Sequence, residues 1–547
     1  MPNVTEEFLD LQGLQEYDAK IKEFIGGANS YDTMPSTADL LAMGNNTIFY
    51  TEGFYSKADG NGGYYKVTTT YTHGALEIKH DSPKKFLVAL GENGQENPAV
   101  IDVCRYGVRP LAYNTAIDFN TINATDSFAT ANSAIMSYIY QPSYGSVYKF
   151  PVGRFVFEDT ISLSNTQCSI CGSGLPQIRE ANQINSDYLG GTTLYFPFLD
   201  NDESGISVSF GNVENLTIVG NLNTYNIVID RTKTITAPSG VVTETIKQVA
   251  GNDVKCTGLN KTANGFIHNV MVMGFYTGIK CSTANIYIDN IYARKCHLGF
   301  DIKGDTKCNN VFGWDVYTLL TIGASLTSAT NVRVDSCVHA LHLVNGNSVT
   351  INDLDGDYCT DSLIMIGSPD EWKEVKNCFL SGIHGRCCTL NSYDSTQATA
   401  PDVRDLVSTS GYGFIRLYRG AFMGNTVQFT NINGSNPFDG TSNYLTPNII
   451  FTFDGSFSMN ASGNFFSVAD GGIASITDLQ KRFQTKSGVT ARIDNFSSIY
   501  GVQGTTFTDM TAMISNKVDK VQGKELSTED AQALTTQQVN DLIAILT

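Results

Sequence analysis

Between residues 264 and 366 apolar positions come in pairs two residues apart, and the pairs return at a nearly fixed interval. The heptapeptides FYTGIKC from Phe275, CHLGFDI from Cys296, VYTLLTI from Val316, CVHALHL from Cys337 and CTDSLIM from Cys359 start 21, 20, 21 and 22 residues apart. Each carries one such pair: Ile279/Cys281, Phe300/Ile302, Leu320/Ile322, Leu341/Leu343 and Leu363/Met365. A spacing of two puts both side chains on one face of a strand. A period of about 20 residues marks a solenoid of stacked coils. A second inward set precedes each heptapeptide: Val270/Val272, Ile291/Ala293, Val311/Gly313, Val332/Val334 and Leu354/Gly356. No such coil is stable alone, because it buries its apolar face only against its neighbours.

Six residues before each heptapeptide stand Asn269, Asn290, Asn310, Asn331 and then Asp353. Amides at equal height in successive coils can hydrogen-bond up and down the stack, as in the turns of parallel β-helices. A leucine-rich horseshoe would need regularly placed leucines, which are absent. The pattern therefore predicts an all-β chain, a right-handed parallel β-helix (solenoid).

The flanks read differently. Residues 5–25 carry Phe8, Leu11, Leu14, Tyr17, Ile21 and Phe24 at helical spacing, ended by Gly26-Gly27. Residues 32–97 hold a short capped helix at STADLLAM and a β-hairpin in NTIFYTEGFYSKADGNGGYYKV. A helix is expected in SFATANSAIMSYIY, and two strands around Phe150-Pro151-Val152-Gly153. Residues 221–263 read as a lateral insertion, and SPDEWKEV as another. From 410 to 510 strand character persists but the period fades. TTQQVNDLIAILT closes the chain as a capped helix with an apolar stripe. The expected division is an N-terminal amphipathic helix (1–30), a small head domain (31–97), the β-helix with its insertions (98–435), a C-terminal β-region (436–510) and a terminal motif with a short helix (511–547).

Composition narrows the function classes. The 547 residues carry a formal net charge of −18 and 16% charged residues. A nucleic-acid partner needs a basic footprint that this balance lacks. No run of about 20 apolar residues occurs, so no membrane insertion is expected. The start, MPNVTEEFLD, lacks the charged and apolar regions of a signal peptide. The 12 cysteines include one C-x-x-C, Cys168/Cys171, with no second pair at zinc spacing, and a vicinal Cys387-Cys388. They are expected as reduced packing residues, with no metal and no cofactor.

Three stretches carry a resemblance. Gly53-Phe54-Tyr55, Asp59-Gly60-Asn61-Gly62-Gly63 and Tyr65-Lys66-Val67 resemble a small domain that precedes the β-helix of many phage tail proteins. Residues 98–174 resemble the first coils of pectate-lyase-like β-helices. Here Tyr106-Gly107-Val108-Arg109-Pro110 and Ala124-Thr125-Asp126 stand where that family usually has an Asp-rich segment. Residues 515–529, SNKVDKVQGKELSTE, resemble a signature near the ends of phage tail-fibre proteins. The chain as a whole resembles bacteriophage tailspikes and tail appendages. That resemblance implies a homotrimer on the virion tail, attached to other tail proteins through its N-terminal region and facing a host cell-surface glycan. It also implies a polysaccharide depolymerase, either glycoside hydrolase or polysaccharide lyase. The alternative is a non-catalytic structural appendage or adhesin.

The strands offer chemistry on the side opposite the core columns. The outward positions are Met271/Met273, Tyr292/Arg294, Phe312/Trp314, Arg333/Asp335 and Asp355/Asp357. Aromatic faces stack on sugar rings, and Arg and Asp bond hydroxyls and acidic groups. Tyr292, Arg294, Trp314 and Arg333 are the expected substrate-binding residues. Asp335, Asp355 and Asp357 are the expected catalytic carboxyls, since glycoside hydrolysis needs two across the scissile bond. The same residue types also suit a subunit–subunit face. His297, His339 and His342 show no metal spacing and read as solvated or packing residues.

Overall fold

The structure is a computed structural model. It describes residues 30–57, 59–70, 75–91, 96, 99–112, 118, 121–139, 145–163, 167–176, 190–222, 230–237, 240–247, 254–359, 363–366, 375–376 and 378–387, and strand backbones within 415–509. The expected helices at 5–25 and near the C-terminus lie outside these residues, as does the 515–529 signature. The chain divides into two compact units, residues 1–226 with 250–307, and residues 227–249 with 308–547.

The first unit begins with a five-stranded sheet in the order β1-β2-β3-β5-β4: β1 (Ser30–Tyr31), β2 (Thr47–Thr51), β3 (Gly63–Thr68), β4 (Leu76–Lys79) and β5 (Lys85–Ala89). β2 and β3 form the expected antiparallel hairpin. The expected helix, α1 (Thr37–Ala42), starts at Ser36, whose side chain accepts the Asp39 N–H. Leu40, Phe49, Tyr65, Val67 and Leu87 make the sheet's core. The Gly-rich loop is built around Asp59, whose carboxylate accepts the backbone N–H groups of Phe54, Tyr55, Ser56 and Asn61. Burial opposes that charge, but the four donors prevail and hold the carboxyl below its ordinary range.

The same loop latches the sheet to the first coil. The Tyr55 hydroxyl donates to the Gly107 carbonyl (2.6 Å), and the Tyr65 hydroxyl to that of Arg105 (2.9 Å). The Arg105 guanidinium returns bonds to the carbonyls of Leu90 and Tyr64.

Beyond the latch, strands stack in three parallel sheets. Sheet one takes β6 (Val100–Asp102), β7 (Val147–Lys149), β10 (Ser169–Cys171) and the first halves of β13 (Val213–Val219), β17 (Gly265–Met273) and β19 (Ile286–Arg294). Sheet two takes β8 (Gly153–Val156), β11 (Thr192–Tyr195) and the second halves of β13, β17 and β19. Sheet three takes β9 (Ile161–Leu163), β12 (Ser204–Val208), β16 (Thr257–Lys261), β18 (Thr277–Cys281) and β20 (Leu298–Ile302). This is a right-handed parallel β-helix, the hand that parallel crossovers prefer. Its core columns run in register: Ile101, Tyr148, Ile170, Val213, Ile267 and Ile288 in sheet one, and Phe155, Leu194, Ile218, Val272 and Ala293 in sheet two. All of these are buried.

Two readings need correction here. Residues around Phe150 give three strands, because β9 follows β8 after a short corner. The expected insertion at 221–263 ends earlier, since β16 is a full member of sheet three. Its alternation was hidden by Lys261, which occupies the core column between Val208 and Cys281. Lys261 is wholly buried, and its ammonium donates to the carbonyls of Ser209 and Asn264.

The turn between sheets one and two carries the amides. Asn215, Asn269 and Asn290 in the first unit, and Asn310 and Asn331 in the second, all adopt left-handed backbone with φ of 51–58°. Asn269 donates to Asn215 (2.9 Å), Asn290 to Asn269 (3.0 Å) and Asn331 to Asn310 (2.6 Å). Asp353 (φ 58°) and Gly382 (φ 63°) take the same turn higher in the second unit.

The second unit repeats the scheme. β22 (Ser328–Leu343) pairs in parallel with β24 (Thr350–Cys359), and β24 with β27 (Cys378–Cys387). Leu341 pairs with Ile364 and Leu343 with Ile366, so the inward pair of this coil is one residue later than the expected Leu363/Met365. One extra residue after Cys359 causes the slip, which a fixed period could not register. Parallel pairing continues beyond residue 435, as between β28 (Ile415–Tyr418) and β30 (Phe451–Asp454). The long intervals between strands stretch the period there. Antiparallel pairing appears at β35 (Tyr500–Gln503) and β36 (Thr506–Asp509).

Nine cysteines among the described residues are free thiols, eight of them buried.

Candidate functional site

In the first unit, the outer face of sheet two has two columns with different fates. One is Val156, Tyr195, Val219, Met273 and Arg294. The other is Arg154, Thr193, Thr217, Met271 and Tyr292. The first column is apolar up to its last member, and it is covered. Val156, Tyr195 and Val219 cluster with Ala129 of α2 (Ala129–Tyr138), flanked by Leu111, Ile122 and Leu222. Met273 is fully buried and Arg294 is 6% exposed. The expectation of an open column therefore fails at Met273 and Arg294. The outward register is right, but a second layer lies over it. Tyr292, in the other column, is half-buried.

In the second unit, β22 and β24 set the acidic rungs. Arg333 stands beside Asp355, and Asp335 beside Asp357. Adjacent parallel strands lie about 4.8 Å apart, and the two rungs are two residues, about 7 Å, apart along the strands. Arg333 and Asp355 are exposed, and Asp335 is half-buried. The Asp357 side chain lies outside the described residues. Arg333 is aimed by the amide ladder: its Nε donates to Asn331 Oδ1 at 2.9 Å. The next rung after Asp355 belongs to His384. Trp314, on β21 (Thr306–Ile322), is half-buried.

The rungs differ electrostatically. Arg333 beside Asp355 puts a basic and an acidic residue on one rung. Asp335 beside Asp357 puts two acidic residues on one rung.

His339 and His297 are packing groups. His339 is buried with its ring edge-on to Tyr317. His297 stacks on Tyr276 at 4.5 Å, and burial lowers its pKa to about 4. No group of three or more potential metal ligands occurs among the described residues. The sequence reading also passed over the outer positions of sheet one, where Phe266 and Tyr287 are exposed. Their signal was legible, since each alternates with an inward isoleucine at the same place in consecutive coils.

No protein-family model matches the sequence, and no curated protein does. Solved structures similar to the chain include the enzymatically active domain of tailspike protein 2 from bacteriophage CBA120. It aligns at a TM-score of 0.44 and 11% identity, over 87% of this chain and 59% of that one. The full-length form of that tailspike aligns at 0.43 and 11%, over 85% and 52%. The tailspike of Acinetobacter phage vb_AbaP_AS12 aligns at 0.44 and 10%, over 92% and 78%. The chain thus spans 59% and 52% of the two CBA120 structures.

Proposed function

We propose that the chain is a receptor-binding spike of a phage tail that recognises a host surface polysaccharide and depolymerises it. The observation that carries this reading is the pair of rungs Arg333/Asp355 and Asp335/Asp357 on one outward strip. The resemblance in residues 53–67 and 515–529 supports the tail setting. In this reading Trp314 stacks on a sugar ring. Arg333 bonds hydroxyls or an acidic substituent.

The carboxyls share the proton work. One acid of the Asp335/Asp357 rung gives the proton to the leaving oxygen. A second carboxylate attacks the sugar or activates water. Vertical neighbours about 5 Å apart suit retention, and the diagonal from Asp335 to Asp355, roughly 7–8 Å, suits inversion. For a uronate polymer, Arg333 would instead neutralise the carboxylate while an aspartate removes the α-proton, the β C–O glycosidic bond breaks to leave a C=C bond, and the departing oxygen takes up a proton. Assembly as a homotrimer, attachment to other tail proteins through the N-terminal region, and a place in the virion tail belong to the same reading.

The test is incubation of the purified protein with capsule or lipopolysaccharide from the bacterium the virion infects. New reducing ends identify a hydrolase, and unsaturated uronates a lyase. Binding without either product would leave the adhesin reading in place. Neither binding nor product would overturn the proposal.

A further inference from the structure

Sheet one of the first unit carries an outward strip that its core does not need. Phe266 and Tyr287 face each other across β17 and β19, flanking the inward pair Ile267 and Ile288. They are 53% and 43% exposed, two of the eight most exposed large apolar side chains among the described residues. Their rings stack at 5.2 Å and 25°. Lys307 continues the line, its ammonium 5.5 Å from the Tyr287 centroid. Two residues along the same strands, His268 Nδ1 meets Asp289 Oδ2 at 3.2 Å, and both side chains are about half exposed (49% and 44%). The Asn212 side chain accepts the Phe266 N–H and pins the near end of the strip. Phe210, 54% exposed, lies two residues before Asn212.

We propose that Phe266, Tyr287, Lys307 and the His268/Asp289 pair form a saccharide-binding subsite for the same glycan, an inference that rests on the function proposed above. The ridge is amphipathic on the scale of a sugar. Ring carbons and a phenol hydroxyl run along one line, with polar groups about 7 Å away at two residues of strand rise. A pyranose laid along it places its C–H face on the rings and its hydroxyls toward Asp289 and His268. Lys307 supplies a cation on a chain of net charge −18, so an acidic substituent meets attraction there. The exposed area argues against a second copy as occupant. Two half-exposed rings offer roughly 200 Å², whereas a stable interface takes about 800 Å² from each partner.

The experiment presents immobilised bacterial capsular polysaccharides and O-chains to the full chain and to a Phe266→Ala/Tyr287→Ala variant, with light scattering on both. The expected result is at least about tenfold weaker binding by the variant at unchanged particle mass. Equal binding overturns the subsite while leaving the function intact. A lower particle mass also overturns it, because the ridge is then a subunit contact. If the parent binds no polysaccharide, the subsite falls together with the function it rests on. Should the double variant fail to fold, Lys307→Gln decides: a loss of about threefold or more supports the subsite, and unchanged binding overturns it.

Discussion

Asn290 donates its amide to Asn269 at 3.0 Å, one coil away, and both residues sit in left-handed backbone at φ 53° and 52°. Two requirements meet at this position. The turn between sheets one and two needs a positive φ, which asparagine tolerates better than most residues. Each half-buried amide also needs a partner, which the neighbouring coil provides. One residue type satisfies both, so the chain reuses it coil after coil.

Asn290→Ala should lower stability by about 2 kcal/mol, combining the left-handed strain with a lost hydrogen bond. Asn290→Gly should recover roughly half, since glycine removes the strain but not the missing bond. Urea midpoints measure this, or unfolding half-lives where unfolding is irreversible. Equal stability of the two variants would show that backbone conformation does not matter at the turn.

His297 makes stability depend on pH. Its folded pKa, about 4, lies below the ordinary histidine value because burial disfavours the charged ring. Between about 4 and 6.5 the unfolded chain therefore binds the proton more readily, and stability falls as pH drops through that window. His297→Phe keeps the stack on Tyr276 and should flatten the loss. The check is urea titration of both proteins at pH 7 and pH 4.5. Parallel losses in the two would contradict the assignment.

The head should come loose if its latch is broken. Gly107 has φ 96°, and a Cβ there would lie 2.5 Å from the Phe54 ring. Gly107→Ala should destabilise the junction by about 2 kcal/mol or more, through backbone strain and overlap together. Limited proteolysis should then cut between residues 90 and 110. An unchanged digestion pattern would contradict the latch.

The solenoid was legible because its rules repeat. Period, inward pairs and amides all recur, and every coil is an independent witness to the same geometry. What escaped notice were exceptions to the repeat. Lys261 hid β16 by placing a cation in a core column, and one extra residue after Cys359 shifted an inward pair. Arg294 was correctly read as outward, yet outward did not mean open. The apolar run Val156, Tyr195, Val219 and Met273 on its column was the clue to a covering layer. It was hard to see because those residues are scattered over more than a hundred positions of sequence.

Assembly has its own test. A homotrimer should scatter light with about three times the mass of the 59.4 kDa chain, and it should resist heat until unfolding is cooperative. A mass of one chain at micromolar concentration would contradict the trimer.

Trp314→Ala should weaken glycan binding about tenfold, given roughly 1–3 kcal/mol for a large apolar surface. Isothermal titration with the host polysaccharide measures it. Unchanged affinity would move the binding face away from Trp314.

The most direct measurement is the rate at which the parent and Asp335→Asn or Asp357→Asn variants release reducing ends or unsaturated uronates from the host polysaccharide, with binding followed in the same samples. An amide keeps the shape of the carboxyl but cannot exchange its proton. The expected result is steady release by the parent and at least about a hundredfold slower release by each variant, with binding retained. No release by the parent, or release by both variants at the parent's rate, would contradict catalysis on these rungs.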